Sequence, residues 1–343
     1  MGSGSAIDSP DAPDPEVLRG WLADSLGRRV ERVAVERFPA GYANGAWRLD
    51  VETAGTVQRM VLKAPRVPSV VYQLDQCREA RLMATLGRVG APLPAVLAID
   101  EGTRAVGRPC FVMECVEGRS VPDGPGGVHV DGWFRAAGPR AQRAIWDSFH
   151  DALATLHAAD PAVVADVYDG PVGAVEFLHY WRAALLDVVD AHVAPRHIAV
   201  FDWLRANIPS SADAPLALCM GDARLVNGIV SDGEVRALVD FEVAYVGNPM
   251  ADVGYSLFVD RSQRAGTESP VPGIPPDDDT WSRWSVKTGR ALTDVDYWSA
   301  FGATIIVVTA TRAMVQWGLV DPFAEEFNGM LPAWESMVER AAR

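Results

Sequence analysis

Apolar residues along the chain recur first with helical spacing, then with the alternation of strands, and beyond about residue 130 with helical spacing again. PEVLRGWLADSL (15–26) puts Leu18, Trp21, Leu22 and Leu26 on one face and predicts a helix. RVAVERF (32–38), AWRLDVE (46–52) and QRMVLKA (58–64) predict three short strands. LDQCREARLMATLGRVG (74–90) predicts a helix ending near Gly87 or Gly90. AVLAIDEG (95–102) and RPCFVMECVEG (108–118) predict two more strands. This first part therefore predicts a small mixed sheet with one helix inserted after its third strand. Gly118 to Gly127 is rich in Gly and Pro and predicts a connection. Helical patterns then dominate. AQRAIWDSFHDALATLHAA (141–159) aligns Ile145, Phe149, Leu153 and Leu156, and AVEFLHYWRAALLDVVDAH (174–192) is a further amphipathic helix. SQRAGTESPVPGIPPDDDT (262–280) has no periodicity and four Pro, which predicts a long loop or lid. WSAFGATIIVVTATRAMVQWGLV (298–320) is the most apolar long stretch, but Arg312, Gln316 and several Thr favour a buried helix over a membrane span.

The expected fold class is α+β in two lobes. A tail at 1–15 precedes a small β-rich lobe at 16–116, and a larger α-rich lobe covers 117–343. A length of 343 residues suits two cores. The tail MGSGSAIDSPDAPDP has no basic or apolar segment, so it reads as disordered and not as a signal peptide. Net charge of −14 and a pI near 4.9 argue against a nucleic-acid partner and permit a cationic substrate. No membrane partner is expected, and the chain is read as a monomer or homodimer. Cys77, Cys110, Cys115 and Cys219 show neither CxxC nor metal spacing, as expected of isolated thiols in a reducing cytoplasm.

The chemistry concentrates in MGDARLVNGIVSDGEVRALVDFE (220–242). Asp232-Gly233 between two apolar runs predicts a tight hairpin. Reflection about that turn sets residue 227 opposite about 238 and 225 opposite about 240, so Asn227 and Asp240 leave the same end. Two hard oxygen donors there suit Mg2+, which takes one or two carboxylates and completes its shell with water and phosphate. Asp222 lies within reach and could accept a proton from a hydroxyl. Arg224 could aim its charge at a transferring phosphate. Phosphoryl transfer needs these parts, because its catalysis is mostly positioning and charge neutralisation. Taken singly, each of these residues could be an ordinary turn former.

The D-x-R-x-x-N spacing, the hairpin and D-F-E at 240–242 resemble the aminoglycoside phosphotransferase/choline kinase-like family, relatives of protein kinases that phosphorylate small molecules. The wording is closest to the subgroup related to kinase domains fused to acyl-CoA dehydrogenases, though no dehydrogenase half is present. The resemblance runs from about residue 30 to about 257. It implies a bilobal protein-kinase-like fold, ATP and Mg2+ as cofactors, and a small hydroxylated acceptor. It implies Asp222 as catalytic base, Asn227 and Asp240 as metal ligands, and Asp252 as an acid bracing the loop. Position 220 is Met where the family usually has His, which predicts a looser loop because Met cannot make the hydrogen bond. A kinase reading also needs a strand cation for the nucleotide phosphates, and Lys63 is placed for it. Glu79 shares a helix face with Leu82, Met83 and Leu86, where an unpaired carboxylate is costly, so Lys63 is its expected partner. PAGYANG (39–45) falls where the family has its nucleotide loop, with Asn44 near the phosphates. FVMECVEG (111–118) falls at the lobe hinge, where the backbone of Glu114 and Val116 would meet adenine.

Two other readings stand beside this one. A catalytically silent nucleotide-binding scaffold of the same fold draws on Met220, and a protein kinase is disfavoured by Gly221 and by D-F-E in place of D-F-G. His157 reads as structural. No H-E-x-x-H or G-x-S-x-G pattern points to a zinc enzyme or a hydrolase. Asp277, Asp278 and Asp279 read as a solvated run or as a rim for a cationic acceptor. Trp281, Trp284, Trp298 and Trp317 read as core, or as the lining of an apolar pocket.

Overall fold

Asp14 opens the first helix of the computed structural model, accepting the N–H groups of Glu16 and Val17 at 2.8 and 3.4 Å. Pro15 occupies the first helical position of α1 (Pro15–Leu26), where its missing donor costs nothing. The structure describes residues 12–38, 44–66, 69–122, 126–318 and 330–343. Residues 1–11 of the expected tail lie outside these, and its last two residues belong to the α1 cap. The chain divides into two units, Met1–Glu117 with Asp166–Tyr168, and Gly118–Ala165 with Asp169–Arg343.

In the first unit, β1 (Arg32–Arg37), β2 (Asn44–Thr53), β3 (Thr56–Pro65), β4 (Val96–Asp100) and β5 (Cys110–Glu114) form one sheet in the order β1-β2-β3-β5-β4. Every neighbouring pair is antiparallel, so the expected mixed sheet is corrected. The reason lies in the connections. α2 (Gln76–Arg88) carries the chain to the edge strand β4, and β5 then folds back between β4 and β3. Trp47, Leu49, Met60, Leu62 and Val112 build the core with Leu18, Trp21 and Leu22 of α1.

The second unit holds α3 (Gly132–Ala136), α4 (Pro139–His157), α5 (Gly173–Leu186) and α6 (Pro195–Ala206), followed by four short strands. β6 (Ala217–Cys219) pairs with β9 (Tyr245–Gly247), and β7 (Gly228–Ser231) pairs with β8 (Glu234–Leu238). Then come α7 (Met250–Ala265), α8 (Asp277–Thr288), α9 (Val295–Gln316) and α10 (Met330–Ala341). α9 is long and apolar enough to cross a membrane by length and composition, and 67% of its most apolar window is buried inside the protein. Its Arg312 is buried, donating to Ala184 O and, at 2.9 Å, to Asp187. α7 and α9 cross closely. A Cβ at Gly302 would meet Ala251 O at 2.1 Å, and one at Gly254 would meet Ser299 Cα at 2.5 Å.

The expected loop at 262–280 is shorter and tighter than its composition implies. α7 continues to Ala265 and α8 starts at Asp277, whose acidic first turn complements the helix N-terminus. Between them Val271 N–H donates to His129 Nδ1 at 3.2 Å and Gly273 N–H to Gln142 Oε1 at 3.0 Å. Val271 and Ile274 are buried, so the segment is packed down and not an open lid.

Two buried histidines make the fold acid-sensitive. Burial lowers His150, on α4, to about 4, against the pull of the Trp146 carbonyl. Burial, then the Arg196 charge, lowers His197 on α6 to about 4 as well. Their folded values lie below that of the unfolded chain, so the unfolded state binds the extra protons. Stability is full above about pH 6.5 and declines as pH falls toward 4. We expect each to remove about 2 kcal/mol of unfolding free energy between pH 7 and pH 5. Urea unfolding at the two pH values checks this, and equal stabilities would contradict it.

Candidate active site

On β3, Lys63 is buried, with Ala46 and Phe111 as its cross-strand neighbours. Its ammonium donates to both oxygens of Glu79 on α2, at 2.7 and 2.9 Å. Gln76, one turn earlier on α2, donates its amide to Glu79 Oε2. Glu79 is 2% exposed, so the pair removes the cost of a bare carboxylate on an apolar face. Residues 39–43 of PAGYANG lie outside the described residues. Asn44 begins β2 opposite Pro65. Glu114, the last residue of β5, spends its N–H on Ala95 O at 2.8 Å, and Val116 follows two residues later.

In the second unit the hairpin forms where the sequence places it. Asp232 and Gly233 both take positive φ, 53° and 79°, as a two-residue turn between right-twisted strands requires. The register departs by one residue from simple reflection. A shift between Ile229 and Val230 leaves Gly228 opposite Leu238, so Asn227 faces Val239, whose N–H donates to Asn227 O at 2.9 Å. A bulge of this kind adds one residue to one strand. Asp240 follows at φ 75°, a left-handed conformation that Asp tolerates better than most residues.

The 220–227 loop is held from beneath by Asp252, near the start of α7. Its carboxylate accepts the N–H groups of Met220 and Gly221 at 2.6 and 3.1 Å. His157, at the end of α4, contacts Asp252 Oδ2 through Nε2 at 3.1 Å, and Trp284 Nε1 donates to His157 Nδ1 at 3.0 Å. The Trp284 donor makes Nδ1 the acceptor, so Nε2 carries the proton given to Asp252. Gly221 must be Gly, because at φ 81° a Cβ would meet Val243 O at 2.3 Å. The backbone of position 220 is therefore tied down whatever its side chain.

Above that floor, four donors converge on the Asp222 carboxylate. Arg224 Nε reaches Oδ1 at 2.7 Å and Arg224 Nη2 reaches Oδ2 at 2.9 Å. Asn227 Nδ2 donates to Oδ2 at 3.0 Å and to the Asp222 carbonyl at 2.9 Å. The phenol of Tyr255 donates to Oδ1. Burial pushes the carboxyl up, but the Arg224 charge and these hydrogen bonds outweigh it and hold Asp222 below the usual carboxylate range. Arg224, expected to face a phosphate, here rests on Asp222. The Asn227 amide nitrogen is committed to Asp222, which leaves its Oδ1 as the atom of that amide able to serve a cation. Among the described residues no group of three or more His, Cys, Asp or Glu could hold a metal ion unaided. One amide and one carboxylate oxygen fit a cation that completes its shell with phosphate and water. A recess nearby is lined by Trp146, Arg224, Leu225, Ser256 and Val259, with Asp260 and Gln263 also in its wall.

Residues 34–281 match the model of the phosphotransferase enzyme family known as APH. The chain belongs to this family. Relatives include the Arabidopsis thaliana protein IBR3, which carries an acyl-CoA dehydrogenase name and is 27% identical over 265 residues, 73% of this chain and 31% of that protein. Acyl-CoA dehydrogenase family member 10 of Mus musculus is 28% identical over 250 residues, 70% of this chain and 22% of the relative. The chain thus spans under a third of the length of these relatives. Among solved structures, an aminoglycoside phosphotransferase-like protein of Ralstonia eutropha JMP134 superposes with a TM-score of 0.72 at 23% identity, covering 96% of this chain and 99% of that one. A thermostable variant of aminoglycoside phosphotransferase APH(4)-Ia, in ternary complex with ADP and hygromycin B, gives 0.60 at 14% identity over 95% of this chain and 99% of that one. Choline kinase of Cryptosporidium parvum gives 0.55 at 11% identity over 90% and 89%. The fold is that of the protein-kinase-like phosphotransferases.

Of the two acceptor cues in the sequence, Asp278 is exposed and Trp317 half-buried, and the other residues have partners or are buried. Asp277 pairs with Arg261 at 2.7 Å and Asp279 with Arg143 at 3.3 Å, so two of the three acids in the expected rim are already compensated. Trp281, Trp284 and Trp298 are buried in the core. Tyr255 is a site residue that the sequence pattern does not single out. Its one available signal is its place three residues after Asp252, on the same face of a helix.

Proposed function

We propose that this APH-family chain transfers the γ-phosphoryl group of ATP to a hydroxyl of a small molecule. The observation that carries the reading is the braced carboxylate of Asp222, held at both oxygens on a backbone that Asp252 fixes. Asp222 would orient the acceptor hydroxyl and take its proton as the bond to phosphorus forms. Arg224 would leave Asp222 for the transferring phosphoryl group, whose oxygens offer the guanidinium an equivalent two-point partner. Lys63, held by Glu79, would bind the nucleotide phosphates, with backbone groups of Glu114 and Val116 at the adenine and Asn44 beside the phosphates. Asn227 and Asp240 would hold Mg2+, which supplies charge neutralisation at the phosphates when bound.

The acceptor is proposed as a neutral hydroxylated compound. The recess beside Arg224 is lined mainly by apolar side chains, its one acid, Asp260, is already paired with His129 and Arg264, and the acids at 277 and 279 face arginines, which weakens the argument for a polycation. The silent-scaffold alternative rests on Met220, and Asp252 anchors that residue through its backbone. Lys63→Met is expected to weaken binding of Mg·AMP-PNP by about 10- to 100-fold, the worth of charge-assisted hydrogen bonds. Isothermal titration reads this directly, and an unchanged affinity would remove Lys63 from the nucleotide site.

A further inference from the structure

Asp222 carries four hydrogen-bond donors, two on each oxygen, which fills the acceptor positions of a carboxylate. So occupied, it has no lone pair for a substrate hydroxyl. Two of the four donors belong to Arg224, one on each oxygen. If the guanidinium turns to a phosphoryl group, each oxygen of Asp222 loses one donor and keeps one. Oδ2 keeps Asn227, whose amide also lies against the Asp222 carbonyl. Oδ1 keeps the phenol of Tyr255.

We propose that Tyr255 is a positioning residue that fixes Oδ1 of Asp222 when Arg224 departs, so that the base opens one acceptor site per oxygen without losing its orientation. The inference rests on the phosphotransferase reading and adds a residue to it. Its physical basis is the placement of the phenol. Tyr255 is 1% exposed on α7, one turn after Asp252, which is fully buried. One helix face thus grips the loop twice, the backbone of residues 220 and 221 through Asp252 and the side chain of residue 222 through Tyr255. The helix is a firm mount, because Gly254 lies between these two residues where α7 and α9 nearly touch. A charged holder such as Arg224 is drawn away by phosphate. A neutral phenol is not, and it remains on the base through the transfer.

Tyr255→Phe removes the hydroxyl and keeps the buried ring. The probe is Mg·ATP with water as acceptor, followed as phosphate release, alongside Mg·AMP-PNP binding and thermal unfolding. The expected result is a kcat lowered about 10- to 100-fold, with KM for Mg·ATP within about twofold and nucleotide affinity unchanged. A kcat equal to wild type overturns the proposal, and so does a kcat loss that only tracks a loss of folded protein. Wild-type protein that binds Mg·AMP-PNP yet consumes ATP with neither water nor any alcohol of a neutral and cationic panel defeats the phosphotransferase reading itself, and this inference with it. Should the variant not fold, a crystal structure of the wild type with Mg·AMP-PNP decides. The phenol is expected on Asp222 Oδ1 with Arg224 on phosphate, and a phenol turned away from Asp222 overturns the proposal.

Discussion

Asp222→Asn is expected to lower phosphoryl transfer by about 10²- to 10⁴-fold, the usual worth of a positioned general base. The substitution keeps the shape and removes the proton acceptor. It also turns an NH2 group toward donors from Arg224, Tyr255 or Asn227, all of which now find an acceptor in the carboxylate. The nucleotide should still bind, because its phosphates are assigned to Lys63 on β3. Turnover by initial rates and Mg·AMP-PNP affinity by titration separate the two effects. A variant that turns over within about twofold of wild type would take the base role from Asp222.

Asp252→Ala should act on stability as much as on rate. It strips an acceptor from three buried donors at once, the backbone N–H groups of Met220 and Gly221 and the Nε2–H of His157. Water has poor access, since Asp252, His157 and Met220 are essentially unexposed. Breaking one partner out of a buried charged network costs about 3–5 kcal/mol. Urea unfolding is expected to show that loss, with the surviving folded fraction nearly inactive because the 220–227 loop has lost its floor. A loss under about 1 kcal/mol would show that the network contributes little to holding the loop.

The parts of this arrangement that were legible in the sequence are those where one residue has few alternatives. A carboxylate among Leu82, Met83 and Leu86 has to be paired, and Lys63 is what it meets. Asp-Gly between apolar runs has few outcomes besides a tight turn. The register differs by one residue from simple reflection because a bulge is decided by how β7 and β8 pack, which alternation alone does not report. Asp277 to Asp279 looked like loop because the prolines before them masked a helix start. The all-antiparallel sheet depended on where α2 delivers β4, a long-range outcome. Tyr255 was hidden because an aromatic on an apolar helix looks like core, and most of it is. Only its hydroxyl reaches the site.

The most direct test of the account follows label from γ-32P-ATP into a panel of neutral and cationic alcohols, with wild type and Asp222→Asn side by side. An acid-stable phosphate ester on a neutral hydroxylated compound is expected in the wild-type reaction and none with the variant. Mg2+-dependent nucleotide binding with no labelled ester on any alcohol, or equal labelling by both proteins, would contradict it.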